Sequence, residues 1–428
     1  MLLLSYSLST TQLGSAIALK AWTRQVDATA LVIRGSAVKR TTQKLGLVIA
    51  CALACLSASC GNSAANSGER WNQKDATTYL DQHESMWTSW PTASREQGTF
   101  CVSCHTTMPY ALSRRAVDLR LGESDPSANE RKLVDNITKR VRLWTSIPPY
   151  YKGEAEQSRG TEAILNALIL ANCDARSGHL SADTRAALDN MWKLQEATGK
   201  ESGAWKWIQF NNEPWEAYDS PYYGATLAAI AVGLAPENYR SDPEIQQHLE
   251  LLREYLNREY GAQTLLNRIS LLWAAAELPG ILKPEQQQSL IEEILSKQQA
   301  DGGWCTSLLV GTWKRRDGTP LVMRSDGYAT GLITYVLQLA GVSRDNVSLK
   351  NGLSWLRRNQ TWWDGHWEGY SLNTWHYDLH PVGSHFMNDA ATAYAVLALT
   401  QSERGSNAAA EQAARASAVN VQEAGNWK

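Results

Sequence analysis

Phenylalanine is almost missing from this chain: 3 residues against 18 tryptophans and 16 tyrosines in 428. That rules out a dry phenylalanine core as the reason for the aromatic content. Trp and Tyr join a large apolar face to a polar handle, which suits half-wet clefts and binding surfaces. Net charge is missing too. Forty-one Lys and Arg against 43 Asp and Glu leave −2, so there is no basic surface to neutralise phosphates and no nucleic-acid partner is expected. Long apolar runs are absent: none reaches the length of a membrane span. Cysteine is scarce, with 7 residues, three of them at 51, 55 and 60. The remaining four are too few and too uneven for the disulfide framework of a small secreted domain. Strand-type alternation is also lacking, which excludes an all-β fold.

What is present begins with an export leader. Residues 39–44 (Lys-Arg-Thr-Thr-Gln-Lys) form a charged n-region, 45–58 an apolar h-region too short to span a bilayer, and Ser-Cys-Gly-Asn-Ser follows at 59–63. Small residues before Cys60 resemble a bacterial lipoprotein cleavage site, with Cys60 as the lipidated first residue of the mature chain. The alternative is an ordinary cleaved signal. Val38 offers a later start, which would make 1–37 spurious. Residues 61–70 then read as a flexible tether. The expected location is outside the cytoplasm, in the periplasm, held to the membrane by the lipid anchor only.

From residue 70 onward two helix types alternate. One is short and apolar on every side, near 106–117, 162–171, 224–235, 265–278, 328–340 and 390–399. Such a helix must be buried on every side. The other is amphipathic with one charged stripe, near 75–90, 129–145, 181–198, 243–260, 284–299 and 346–360. A repeat of this kind implies stacked hairpins. Six of them closing into a ring predict an all-α fold, an (α/α)6 toroid over residues 71–402 with long loops on one face. Residues 403–428 read as a C-terminal helix or tail. The outer-to-inner connections all fall at one end of the ring, and three are long and aromatic-rich (201–222, 301–324, 361–387). That mouth is the expected binding site.

Gln298…Gly302-Gly303-Trp304, with Gln195…Gly203-Ala204-Trp205 and Gln360…Gly365-His366-Trp367, resembles the repeated Gln…Gly-x-Trp pattern of squalene–hopene cyclases and related toroids. The resemblance spans roughly 150–402. It implies a toroid in which Gln and Trp tie one outer helix to its neighbour. The acidic triplet that protonates squalene in that family has no counterpart here. The segment near 98–120 further resembles a group of exported bacterial proteins in which a haem-type motif precedes such a repeat.

That motif is Cys101-Val-Ser-Cys104-His105. Two thiols at this spacing can add to the vinyl groups of haem, and the adjacent His can ligate iron. One covalent haem c is therefore expected, with His105 proximal. A redox dithiol, a zinc half-site and a disulfide are the alternatives. The sixth ligand is sought in the last long loop: His385 or Met387 first, then His380 and His376. Asp326 and Asp389, with Asp219 and Glu162, recur near inner-helix starts. They read as N-caps, and Asp326 and Asp389 are kept as weak acid/base candidates. Cys173 and Cys305 sit at opposite ends of the hairpins, about 18 Å apart along a helix, and are expected unpaired.

These readings point first to an exported haem protein that passes electrons or performs redox chemistry, with a redox partner protein or a hydrophobic small molecule at the mouth. The alternatives are a terpene-cyclase-like enzyme and a binding or scaffold lipoprotein.

Overall fold

The computed structural model describes residues 71–123, 125–374 and 383–404; the leader, Cys60, His376 and His380 lie outside them. Among the described residues the outer helices are α1 (Gln73–Ser89), α3 (Ala128–Arg142), α5 (Ala182–Trp192), α7 (Gln246–Glu259), α9 (Pro284–Ser296) and α11 (Val347–Arg358). Between them run the inner helices α2 (Thr107–Leu121), α4 (Ala155–Ser177), α6 (Ser220–Leu234), α8 (Leu265–Glu277), α10 (Gly327–Leu339) and α12 (386–404). The fold is the all-α toroid expected from the alternation. A two-stranded ribbon, β1 (Ser94–Arg95) and β2 (Thr99–Phe100), interrupts the first connection. No helix among the described residues is long and apolar enough to cross a membrane.

Local chemistry sets the ends of these helices. Ser127 caps α3 in a reciprocal capping box with Glu130, and Ser181, Thr264 and Asn346 cap α5, α8 and α11. The inner helices are built from small residues because neighbours press on their backbones. In α6, Ala225, Ala228, Ala229 and Ala231 are fully buried. A Cβ on Gly331 of α10 would stand 2.6 Å from the Ala395 nitrogen of α12. Three inner helices start earlier than their apolar runs suggested: α4 at 155, α6 at 220 and α12 at 386. Their first turns carry the polar residues that reach into the loops.

The Gln–Gly–Trp segments are what tie the ring together. After α9, Gln298 donates to its own turn at Gly302 O (2.8 Å) and onward to Ser348 O of α11 (2.7 Å), while Trp304 Nε1 donates back to Ile294 O (2.8 Å). After α5, Gln195 reaches Gly203 O and His248 O of α7, and Trp205 returns to Met191 O. After α11, Gln360 reaches Gly365 O and Asn72 O, accepts from Asn72 N (2.6 Å), and Trp367 returns to Leu356 O. Asn72 is the N-cap of α1, so this last copy closes the ring. The seam is reinforced by Arg404 on Ala116 O and by Trp71 on Glu403.

The glycine of each copy is doubly constrained. Gly203, Gly302 and Gly365 have φ of +97°, +93° and +82°, a region that strains any L side chain. Each also lies against the next outer helix. A Cβ on Gly365 would meet the Asp75 Cβ at 2.5 Å. Gly365→Ala should therefore cost about 2–4 kcal/mol, strain plus overpacking. Gly318→Ala has φ +74° with open space around the new Cβ, and should cost about 1 kcal/mol. Urea denaturation of the two variants checks the ranking.

Candidate active-site cleft

Five of the six outer-to-inner connections meet at the mouth around a cleft of about 330 Å³. The first supplies Trp90 and Thr92, beside Trp87 from the end of α1 and His105 before α2. The second supplies Tyr151, the third Phe210, Asn211, Asn212, Trp215 and Glu216, the fifth Trp313 and Arg316, and the sixth Ser371 and Asn373, followed by Phe386 and Met387 from the first turn of α12. The connection between α7 and α8 is short and contributes nothing to the lining.

Cross-ties between the loops hold this wall. Asn212 and Glu216 exchange backbone hydrogen bonds (3.2 and 2.8 Å), closing a tight turn that presents Trp215 and Glu216 together. Trp207 Nε1 donates to Trp215 O (2.8 Å) and anchors the turn to the core. Asn373 donates to Glu213 O and accepts from Glu213 N, tying the third loop to the sixth. Trp313 Nε1 donates to Leu372 O (2.7 Å), tying the fifth to the sixth. Arg316 donates to Phe210 O (2.9 Å). It also donates to the Asn211 side-chain oxygen in the amide orientation that satisfies both groups.

Burial raises the carboxyls in and behind the mouth. Glu216 lines the cleft half-buried; it lies deep in a concavity, where protein crowds it although water reaches it. Burial pushes its carboxyl up to about 7, Asn212 counters, and the charge of Glu154 adds to the rise. Glu213, behind the wall, is pushed up to about 8 by burial and by Asp219. Glu84, sealed inside α1, is pushed by burial to about 8. Sequence reasoning missed Glu213 and Glu216. The only signal for them was two acids within an aromatic loop, and burial in a loop is not written in periodicity.

The residues singled out by sequence separate. Cys101 and Cys104 are buried, and all four described cysteines, Cys173 and Cys305 included, are free. Burial raises the Cys101 thiol to about 12 and Cys104 well above its usual range. Only His105 of the motif lines the cleft. Its ring is stacked on Phe386 (centroids 3.5 Å), meets the edge of Trp87 (4.9 Å) and stands 5.8 Å from Trp215. Its Nδ1 bonds Thr106 Oγ1 at 2.9 Å. A haem bound through this motif needs both thiols and the imidazole facing one open slot. Neither thiol faces the cleft, so these residues do not fit the group.

Of the expected distal ligands, His376 and His380 lie outside the described residues. His385 is half-buried edge-on to His83 (4.7 Å), and Met387 lines the cleft. No group of three or more His, Cys, Asp or Glu among the described residues is arranged to hold a metal ion.

Asp326 and Asp389 are taken up by structural bonds. Asp326 caps α10 through Ala329 N and accepts from Thr306 N and Oγ1. Asp389 lies inside α12 and accepts from Tyr79, His83 (2.6 Å) and Thr106 (2.5 Å). Neither lines the cleft. Glu162 is no cap either: it sits two turns into α4, in a buried ion pair with Arg140 (2.5 Å) and Arg159.

No family model matches the chain, and no curated protein does. Similar solved structures include a glycosidase variant in complex with glucose, 13% identical, covering 77% of this chain and 97% of its own, TM-score 0.47. Two more are possible members of the GH105 family. One, from Salmonella enterica, is 11% identical over 78% of this chain and 95% of its own, TM-score 0.44. The other, from Klebsiella pneumoniae, is 11% identical over 80% and 97%, TM-score 0.42. Identities this low speak to the fold alone. None of these three is named as a squalene cyclase or a haem protein. Cys101 and Cys104 do not line the cleft that His105 lines, which corrects the haem reading and with it electron transfer as the function, and no family model bears out the squalene-cyclase resemblance.

The buried acids make stability depend on pH. Glu84 and Glu213 bind their protons more tightly folded (about 8) than unfolded (4.5). Deprotonation therefore favours the unfolded chain. Stability should fall as pH rises from about 7, where His105 and His385, neutral when folded, have largely lost their protons in the unfolded chain as well, to about 8. Glu84→Gln should flatten part of that slope, read from denaturation midpoints across the range. A stability that rises over this window would contradict the assignment.

Proposed function

We propose that the chain is a glycoside-cleaving enzyme working outside the cytoplasm, with Glu216 as the proton donor. The carrying observation is Glu216 itself: a carboxyl pushed up to about 7 on the wall of an aromatic cleft. Such a group is about half protonated near neutral pH, against almost none for an ordinary carboxyl, and can protonate a leaving glycosidic oxygen.

The rest of the lining suits a sugar. Trp87, Trp90, Trp215 and Trp313 offer flat apolar faces to the C–H side of a pyranose. Asn211, Asn212, Asn373 and Arg316 offer donors and acceptors for hydroxyl groups. In the step proposed, the Glu216 proton passes to the bridging oxygen as the anomeric C–O bond breaks. Water then adds to the anomeric carbon and releases a proton to solvent, and Glu216 is reprotonated for the next turnover. Surrounding π faces favour the cationic sugar ring that develops in between. The Arg316 bonds to Phe210 and Asn211 keep one wall in place while the ligand binds. The reading stands on the cleft. The export leader supports a location where glycans are encountered.

Assay against a panel of aryl glycosides and polysaccharides tests it. Activity should fall as pH rises through about 7, because the acid must be protonated. Glu216→Gln should lower turnover about 10²–10⁴-fold with little change in KM. Glu154→Gln should move the basic limb to lower pH by removing the charge that helps raise Glu216. No cleavage or binding of any saccharide, or a Glu216→Gln variant of full activity, defeats the proposal.

A further inference from the structure

Two tryptophans stand out in water on the rim. In the connection after α11, Trp362 is 87% and Trp363 59% exposed, their rings perpendicular with centroids 5.8 Å apart. Trp363 is braced from behind by the edge of His366 (6.0 Å), which in turn is held by Asp364 (2.6 Å). The pair is thus projected outward from a fixed turn. Met323, on the neighbouring long connection, is also 57% exposed. Exposing this much indole costs free energy that neither the ring nor the cleft recovers, since neither tryptophan lines the cleft. Arg357 and Arg358 end α11 just before the pair.

The place where the chain enters the ring says what covers this surface. Gln360, two residues before Trp362, holds Asn72 through two hydrogen bonds. The tether of residues 61–70 therefore joins the toroid beside the pair. Ten residues span at most about 36 Å extended, and about 17 Å on average as a flexible chain. We propose that Trp362 and Trp363 form a membrane-contact surface that seats the mouth rim on the phospholipid bilayer to which a lipid on Cys60 would tether the chain. Indoles settle at the headgroup level of a bilayer, where ring and N–H are both satisfied. Neighbouring arginines meet anionic headgroups. A second, protein-borne contact would make up for the weakness of a single anchoring signal. The inference rests on the leader reading and not on the glycosidase assignment.

The test uses the full chain made in a host that processes lipoprotein leaders, with its Cys60→Ser counterpart. Each is mixed with phosphatidylethanolamine–phosphatidylglycerol vesicles whose acyl chains carry bromine, a quencher of indole emission within the bilayer. The wild-type chain should be quenched, and Trp362→Ala/Trp363→Ala should lose most of that quenching while still anchored. In the Cys60→Ser background the same pair should weaken vesicle partitioning about tenfold. Both residues are exposed, so circular dichroism should show the double variant folded. Equal quenching of the anchored wild type and double variant overturns the proposal. So does retention on insoluble polysaccharide that depends on the pair without vesicle quenching, which would make it a sugar platform. Mass spectrometry of the mature N-terminus tests the leader separately: an unlipidated chain that still binds vesicles through the pair keeps the surface and removes the anchor.

Discussion

Everything in this molecule hangs on a glutamine that has two carbonyls to satisfy. At the end of an outer helix, Gln195, Gln298 or Gln360 donates both to its own turn and to the first turn of the next outer helix. The turn can come that close only because its glycine has no Cβ, and it is sealed by a tryptophan whose N–H returns to the helix it left. A primary amide can bridge two backbone segments with both its hydrogens, whereas a hydroxyl donates once and an ammonium brings charge to a place where it would be costly. The third copy matters most, because its partner is Asn72 at the far end of the chain. Six hairpins become a ring through this bond and the contacts around it.

A ring closed in this way places all outer-to-inner connections at one end, and there the loops are bound to one another rather than to the helices. Asn373 with Glu213, Trp313 with Leu372 and Arg316 with Phe210 turn three loops into one wall. Dense protein around a concave opening is what raises Glu216: the charged form loses water it cannot replace, while the neutral acid loses little. The acid is thus a product of loop packing, and its rise would weaken if the cross-ties loosened.

The Cys-x-x-Cys-His segment shows how one spacing can serve different ends. Its residues make the entry to α2. Ser103 accepts from Thr106 N and Thr107 N as the helix begins, Cys101 O accepts from Trp87, and Thr106 donates to Asp389 across the seam between first and last helices. The cysteines pack as small apolar groups, and the histidine is one aromatic ring among several. Burial holds it neutral, down to about 3.

Helix count, the division into buried and amphipathic helices, and the clamp segments were legible in the sequence, because each is a local pattern with a local cause. All-round apolar runs must be buried, and a repeated Gln…Gly-x-Trp must answer a repeated contact. Which end of the ring carries the loops followed from the same order. The cleft acid did not. Glu213 and Glu216 look like any loop carboxylates until five connections from distant parts of the chain crowd them. Conversely, Asp326 and Asp389, read as N-caps and kept as acid/base candidates, have every oxygen engaged in the structure, Asp326 as the cap and Asp389 from inside its helix. The desolvation that raises one carboxyl and the hydrogen bonds that occupy another are long-range properties, and only tertiary structure decides them.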